Sequence, residues 1–261
     1  MNRNFWHKHG HTVIIYVFLA ALMVFVSIFN KDFFTLGNFK NLLRSSFPLL
    51  MAALGQTLII LTGGIDLSLG GIVALCNVVC VMSMNPDSAW GFVPALGAAA
   101  AVGLACGAVN GVLVTKGRLA PIIVTIATTA VFDGMALLLM PNPGGSVHKA
   151  FAKFLTRGYS GAVPFLLFIL ILCLVRSLAN STPYGKALRA IGGSENAAYS
   201  TGIRVGKIKF CAYCLAGLLC AVAGIFLSAQ MNSADATIGK NYAMNAITAT
   251  VVGGTAMTGA V

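Results

Sequence analysis

The stretch Thr62-Gly63-Gly64-Ile65-Asp66-Leu67-Ser68 joins two long runs that contain no charged residue, and it decides how the chain can fold. One run covers residues 45–65 and the other covers residues 67–86. A helix needs about 20 mostly apolar residues to cross the hydrocarbon core of a bilayer. Each run is therefore long enough to span a membrane, and Asp66 stands between two predicted spans.

The composition of the whole chain agrees with this interpretation. Hydrophobic residues make up 58% of the 261 residues and charged residues only 9%, whereas a soluble domain has roughly 25% charged residues. The chain has too few polar residues to cover a soluble globule and too much apolar surface to stay disordered. We therefore expect an all-α, polytopic transmembrane helical bundle with a broken-helix region near 62–68.

The remaining apolar runs predict about eight membrane segments in one transmembrane domain that covers residues 1–261. The segments are expected near 12–29, 47–62, 67–84, 92–115, 119–140, 163–179, 210–230 and 244–261. Small residues in 98–111 and 217–224 predict close helix packing. Four polar residues inside predicted helices are expected to hydrogen-bond between helices: Gln56, Asn77, Asn110 and Gln230. The last segment should bend at Gly253-Gly254.

Two longer connections separate these segments, the Pro- and Gly-rich loop 141–162 and the basic, helix-like loop 180–209. Basic residues favour the cytoplasmic side of a membrane. A cytoplasmic N-terminus puts more of them inside than outside, with 180–209 in the cytoplasm and 141–162 in the periplasm. The net charge of +11 then indicates loops facing anionic lipid headgroups or signals that orient the chain in the membrane, and not nucleic acid.

The break at 62–68 allows two interpretations. Gly63 and Gly64 permit a sharp bend, and Asp66 and Ser68 can cap the free amides that open the next helix. The segment is either a capped turn between two helices or a discontinuous helix beside a transport path. A second acidic residue, Asp133, lies within a predicted span, where it either faces the bundle interior or pairs with a basic residue near a helix end.

The loop 180–209 contains a second pattern with functional meaning. Gly192-Gly193 predicts a bend in the chain, and Ser194, which follows it, can cap a short helix beginning at Glu195. A helix with small residues on one side suits insertion into a groove of another protein, although a solvated connector is the alternative. No nucleotide-binding, catalytic or zinc motif is present, so we expect no catalytic residue, metal or cofactor.

Three motifs resemble one known family, the membrane permease subunits of bacterial ABC sugar importers of the ribose, galactose and xylose class. They are Gly55–Gly70 (GQTLIILTGGIDLSLG), Tyr184–Ile203 and Ala246–Gly259. Pro121–Thr125 is also similar to a family motif, and the resemblance spans residues 33–261.

The resemblance implies a multi-pass protein of the bacterial inner membrane that moves a monosaccharide or a similar small polar solute. Its partners would be a cytoplasmic ABC ATPase subunit, a periplasmic solute-binding protein and a second permease subunit in a homo- or heterodimer. ATP hydrolysis would belong to the separate ATPase. The residues expected to couple to that ATPase are Gly192, Gly193, Glu195, Asn196, Ala197, Ala198 and Gly202. Those expected at the broken helix of the translocation path are Gly63, Gly64, Asp66 and Ser68.

The sequence also departs from the family pattern. Ser194 stands where the family has Asn, Asp133 where it often has Arg, and Ala260 where it has Gly. The chain stops at Val261 within a hydrophobic run, whereas family members continue, so we expect a C-terminally truncated product or a remainder on another chain. Two alternative functions stay open, an ion-coupled secondary transporter that uses Asp66 and a truncated permease fragment without function.

Overall fold

The computed structural model describes residues 3–88 and 90–256, and this part of the chain is a bundle of ten helices without a named strand. The helices are α1 (Arg3–Phe29), α2 (Leu36–Ile60), α3 (Leu69–Met82), α4 (Phe92–Thr115), α5 (Pro121–Leu139), α6 (Lys149–Ser181), α7 (Pro183–Gly193), α8 (Glu195–Ser200), α9 (Val205–Met231) and α10 (Tyr242–Val252). The predicted all-α bundle is confirmed, and the predicted bounds of α4 are correct.

The predicted number of eight membrane segments is not confirmed. Among the described residues, five helices are long and apolar enough to cross a membrane: α2, α4, α5, the part of α6 over Gly161–Ser181, and α9. Three predicted segments correspond to shorter apolar stretches, which are the part of α1 over Val13–Phe29, α3 (Leu69–Met82) and α10 (Tyr242–Val252). The glycine break shortens α3, and α10 ends at Val252, before it reaches a spanning length.

A break also divides α6. Tyr159 and Gly161 have left-handed φ angles of 46° and 91°, and they separate a basic beginning from the apolar part that follows. The prediction of a loop over 141–162 is therefore wrong from Lys149 onward. A search for long apolar runs misses the beginning of α6 because its charged residues lower the mean hydropathy of that segment.

Small residues bring the central helices into close contact. A Cβ atom added to Gly103 of α4 would lie 2.5 Å from the carbonyl oxygen of Gly217 in α9. Glycine permits this approach because it has no side chain, as in other membrane helix pairs. Nearby, Phe47 of α2 stacks on Phe226 of α9 with ring centroids 4.2 Å apart. The core therefore lies among α2, α3, α4 and α9.

The two ends of the bundle are built from different segments. Gly144 and Ala234 exchange backbone hydrogen bonds of 3.0 and 2.8 Å just beyond the C-terminal end of α9. The hydroxyl of Tyr184 in α7 donates to the carbonyl oxygen of Ile208, near the N-terminal end of α9, at 3.4 Å. Since 27 helical residues rise about 40 Å, the loop 140–148 and the helices α7 and α8 lie at opposite ends.

The bend that the sequence predicts after α10 is confirmed. The helix ends at Val252, and Gly254 has a left-handed φ of 96°. Ala246 is buried against Ala52 and Ala53 of α2, and the hydroxyl of Thr250 donates to the carbonyl oxygen of Ala53 at 3.3 Å. Residues 257–261 of this predicted segment lie outside the described residues.

Candidate functional site

The broken helix that the sequence predicts is present between α2 and α3. Helix α2 ends at Ile60, and the next residues form a turn in which the amide of Gly63 donates to the carbonyl oxygen of Ile60 at 2.8 Å. Gly63 has a φ of 75°, a conformation that glycine adopts without steric cost. Residues 61–68 thus interrupt the apolar chain before α3 begins at Leu69.

Asp66 is buried inside the bundle at this break. Its side chain belongs to a residue that is only 1% exposed, and its Oδ1 atom accepts hydrogen bonds from the amide and the hydroxyl of Ser68, both at 2.7 Å. The amide of Asn110 in α4 donates to the same hydroxyl at 2.7 Å. Asp66 therefore holds Ser68, the residue directly before α3, and Ser68 connects this point to α4. The Ser68 side chain makes no capping hydrogen bond to the amides of α3, so that part of the prediction is wrong.

Two further polar residues complete this arrangement, which we call the Asp66 cluster: Gln56, Asp66, Ser68, Asn110 and Tyr213. With its amide oriented to satisfy both groups, Gln56 donates to the Asp66 carbonyl oxygen at 3.0 Å and accepts from the Asp66 amide at 3.3 Å. The Tyr213 hydroxyl lies beside Gly64, 3.4 Å from the position of an added Cβ atom. This hydroxyl and Asn110 Oδ1 are buried without a partner among the described residues.

The Asp66 cluster connects the break to the three helices α2, α4 and α9. Gln56 comes from α2, Asn110 from α4 and Tyr213 from α9. Asn110 lies five residues before the end of α4, which corresponds to about 7.5 Å along the helix. The cluster is therefore closer to the end of the bundle that carries α7 and α8. The four predicted residues of the break lie together, and their role in translocation stays a prediction.

The other helix-embedded amides behave partly as the sequence predicts. Asn77 of α3 donates to the hydroxyl of Ser228 in α9 at 2.8 Å and accepts from the amide of Asp235 at 2.9 Å, as an interhelical partner should. Gln230 differs, because its side-chain oxygen is buried without a partner among the described residues. Asp133 is half-buried, with Oδ1 3.0 Å from the position of a Cβ atom added to Gly71, so it faces α3.

The short helix predicted after Ser194 is confirmed. It is α8, and the Ser194 hydroxyl accepts a hydrogen bond from the amide of Ala197 at 3.3 Å. The predicted bend at Gly192-Gly193 is wrong, because α7 continues through Gly193 and the turn lies at Ser194, which has extended φ and ψ angles of −162° and 112°. Neither glycine needs a left-handed conformation there, so both fit the last turn of α7.

Apolar contacts and one ion pair fix α8 against the beginning of α9. Ile191, Ala198 and Val205 are 2%, 3% and 8% exposed and form one buried cluster. The Lys209 ammonium group lies 2.6 Å from the Glu195 carboxylate. Burial raises the pKa of the Tyr184 hydroxyl in α7 above its ordinary value, so this group stays a hydrogen-bond donor.

The outer surface of α7 and α8 is open. Gly193, Glu195, Asn196, Ala197 and Gly202 are exposed, Gly192 is half-buried and Ala198 is buried. Ala198 thus holds the helix in place, whereas the exposed residues form a surface that another protein can contact. Gly202 ends this surface with a left-handed φ of 84°.

Sequence reasoning missed Tyr199, which is 75% exposed on α8. It lies at the edge of a groove of about 670 Å³ that Arg204 and Lys207 also line. Tyrosine and arginine are both enriched at protein contact surfaces. A six-residue helix is too short for its hydrophobic pattern to reveal which face is exposed, so only the structure identifies Tyr199.

Comparison with known proteins places these features in a family. The model of the family described as branched-chain amino acid transport system / permease component matches residues 38–261. This chain belongs to that family. The permease is therefore a transport component in the membrane, and it is not an enzyme.

The permease is similar to several curated importers. It is 39% identical to the ribose import permease protein RbsC of Bacillus subtilis over 250 residues, which cover 92% of this chain and 76% of that protein. It is 34% identical to RbsC of Escherichia coli K12, with 92% and 76% covered. It is 32% identical to the fructose import permease protein FruF of Bifidobacterium longum, with 93% and 72% covered. No solved structure matches the chain.

These relationships support an ABC importer permease over an ion-coupled secondary transporter. Family membership implies association with an ATPase and a periplasmic binding protein. Family membership and the five long apolar helices together indicate that the permease is a multi-pass inner-membrane protein.

Proposed function

We propose that the permease carries a monosaccharide across the inner membrane and that α8 is the surface on which the ATPase subunit acts. The relatives named above import ribose and fructose, which supports a monosaccharide as the solute. The observation that carries the role of α8 is its exposed outer surface on a helix that is firmly held from beneath.

The contacts beneath α7 and α8 give a route from this surface to the broken helix. Leu188 of α7 is fully buried against Leu58 of α2 and Ala212 of α9. Leu58 lies two residues before the end of α2, and Tyr213 of the Asp66 cluster follows Ala212 directly. A displacement of α7 is therefore transmitted through packed side chains to the end of α2 and to the part of α9 beside the break, because protein interiors are closely packed.

We further propose that α7 and α8 face the cytoplasm, that the loop 141–148 and the start of α6 face the periplasm, and that the N-terminus is cytoplasmic. Two permease subunits, identical or different, would form the pore, with Gly63, Gly64, Asp66 and Ser68 at the break beside the path. The location of the ATPase in the cytoplasm and the basic residues near α7 and α8 support this orientation.

The experiment that tests the docking role substitutes Gly193 with Trp. No atom of the described residues lies within 4 Å of a Cβ atom added at Gly193, and Gly193 is exposed, so we expect the Trp side chain to extend from the outer surface without disturbing the fold. The permease is purified with its ATPase and binding protein, and solute-stimulated ATP hydrolysis and uptake into vesicles are measured. We expect both to fall about tenfold or more, since a bulky residue at the centre of an interface prevents close packing.

The matched control is Gly97→Trp in α4, where an added Cβ atom also meets nothing within 4 Å. This variant should transport as the unchanged permease does. If Gly193→Trp inserts, folds and transports at the normal rate, α8 is not the surface on which the ATPase acts.

A further inference from the structure

A basic cavity lies at the end of the bundle opposite α7 and α8. It has a volume of about 320 Å³, and its polar lining consists mainly of four cationic side chains and two amides: Arg44, Lys149, Lys153, Arg157, Gln230 and Asn232. Asn232 is the residue that ends α9, which fixes the position of the cavity at that end. The volume is within the range of small-molecule sites.

The sequence builds one wall of this cavity from a regular spacing. Lys149, Lys153 and Arg157 recur every fourth residue at the beginning of α6, so they share one face of the helix. The neighbouring residues Ala152 and Thr156 are 4% and 7% exposed and hold this part of α6 to the bundle. The cations are therefore presented by a packed helix.

Arg44 of α2 faces the same cavity from the other side. Its guanidinium donates to the side-chain oxygen of Asn41 at 2.7 Å. Within residues 3–88 and 90–256, no acidic residue lines the cavity. The salt bridge in this part of the chain joins Lys209 and Glu195 at the far end of the bundle. A cleft lined by charges of one sign concentrates counter-ions, so this cavity favours an anionic ligand.

Gln230 adds a second requirement for the ligand. Its side-chain oxygen is buried without a partner among the described residues, and the residue lines the cavity. A buried acceptor without a hydrogen bond is unfavourable. A ligand that carries hydroxyl groups beside its anionic group would satisfy both Gln230 and the four cations.

An apolar groove runs along the same two helices. It has a volume of about 230 Å³ and is lined by Leu36, Phe39 and Leu43 of α2, and by Tyr159, Ala162 and Phe165 of α6, among others. Leu43 is next to Arg44, and Tyr159 is two residues from Arg157. Phe39 and Tyr159 are 57% and 84% exposed, and tyrosine is enriched at membrane interfaces. A polar cavity beside an apolar groove suits an amphiphile.

We propose that the basic cavity binds the headgroup of an anionic glycerophospholipid and that the groove holds part of its acyl chain. The phosphate would contact Lys153, Arg157 and Arg44, and the glycerol hydroxyls of a phosphatidylglycerol headgroup would donate to Gln230. The apolar groove argues for a lipid over an acidic protein surface or a soluble phosphate, because neither of these occupies it.

The test measures lipid binding to the purified, delipidated full chain by native mass spectrometry. Phosphatidylglycerol is compared with phosphatidylcholine, and the permease is compared with the double variant Lys153→Gln/Arg157→Gln. We expect phosphatidylglycerol to bind preferentially and the variant to bind it about 30-fold more weakly, from the usual contribution of a basic residue to anionic lipid binding. The matched control Lys186→Gln/Arg189→Gln removes the same charges from α7 and should bind as the unchanged permease does.

Further measurements distinguish a bound lipid from a soluble phosphate and from a protein partner. Soluble glycerol phosphate should not compete with phosphatidylglycerol, and equal competition would overturn the lipid assignment. The assignment would also be overturned if the Lys153→Gln/Arg157→Gln variant kept its affinity for lipid but its transport were no longer stimulated by the binding protein, because the cavity would then contact that protein. If the double variant does not fold, the single variant Lys153→Gln at an exposed position replaces it, with a loss of about fivefold expected. No loss would refute the proposal.

Discussion

Removing the hydroxyl of Ser68 tests whether the Asp66 cluster holds the broken helix. The substitution Ser68→Ala takes away the 2.7 Å hydrogen bond to the Asp66 carboxylate and the acceptor for the Asn110 amide, also at 2.7 Å. Ser68 is fully buried, so no water replaces the lost partner without repacking.

The expected loss can be bounded from two sides. Hydrogen bonds between membrane helices contribute about 0.6 kcal/mol on average, which gives a lower bound of about 1 kcal/mol for two. A bond to a charged group contributes about 1.5–3 kcal/mol, and a buried donor left unpaired costs about 1–3 kcal/mol. Because Asp66 and Asn110 are both fully enclosed, we expect the free energy of unfolding to fall by about 2–4 kcal/mol.

The assay is reversible unfolding of the purified permease in mixed micelles, analysed as a double-mutant cycle with Asn110→Leu. The double variant should lose less than the sum of the two single variants, because it no longer contains the unpaired Asn110 amide. Ser45→Ala is the matched control, since Ser45 is exposed on α2 and bonds only its own helix, and it should stay within about 0.5 kcal/mol. A Ser68→Ala loss as small as this control, or additive single variants, would refute the reasoning.

Two further predictions concern packing and orientation. Gly103→Val should prevent stable folding, because its Cβ atom would collide with the backbone of α9, and the measurement is loss of the monodisperse gel-filtration peak. The control Gly97→Val places its Cβ atom in open space and should keep that peak. A well-folded Gly103→Val protein would contradict the close contact between α4 and α9. In a cysteine-free background, a cysteine replacing Ser194 should resist an impermeant thiol reagent added outside intact cells, whereas one replacing Ser146 should react; the reverse labelling pattern would overturn the proposed orientation.

Local features of the sequence determined the membrane class, the position of the break and the short helix α8. Hydropathy acts over a single helix, so the uncharged run at 92–115 predicts α4 with correct bounds. The two glycines and Asp66 interrupt the chain by their own backbone and capping preferences, and Ser194 caps α8 within three residues. None of these features requires contact with a distant segment.

Tertiary structure decided which of these elements meet. Ser68 bonds Asn110 across 42 residues, and Asn77 bonds Ser228 across 151. The basic cavity gathers side chains from α2, α6 and α9, and the exposure of Tyr199 depends on how α8 packs against α9. Hydropathy specifies that a segment is apolar but not which of its faces contacts which neighbouring helix. The contacts of glycine and alanine depend on how well two helix surfaces fit each other, and that fit is defined only when the helices are packed.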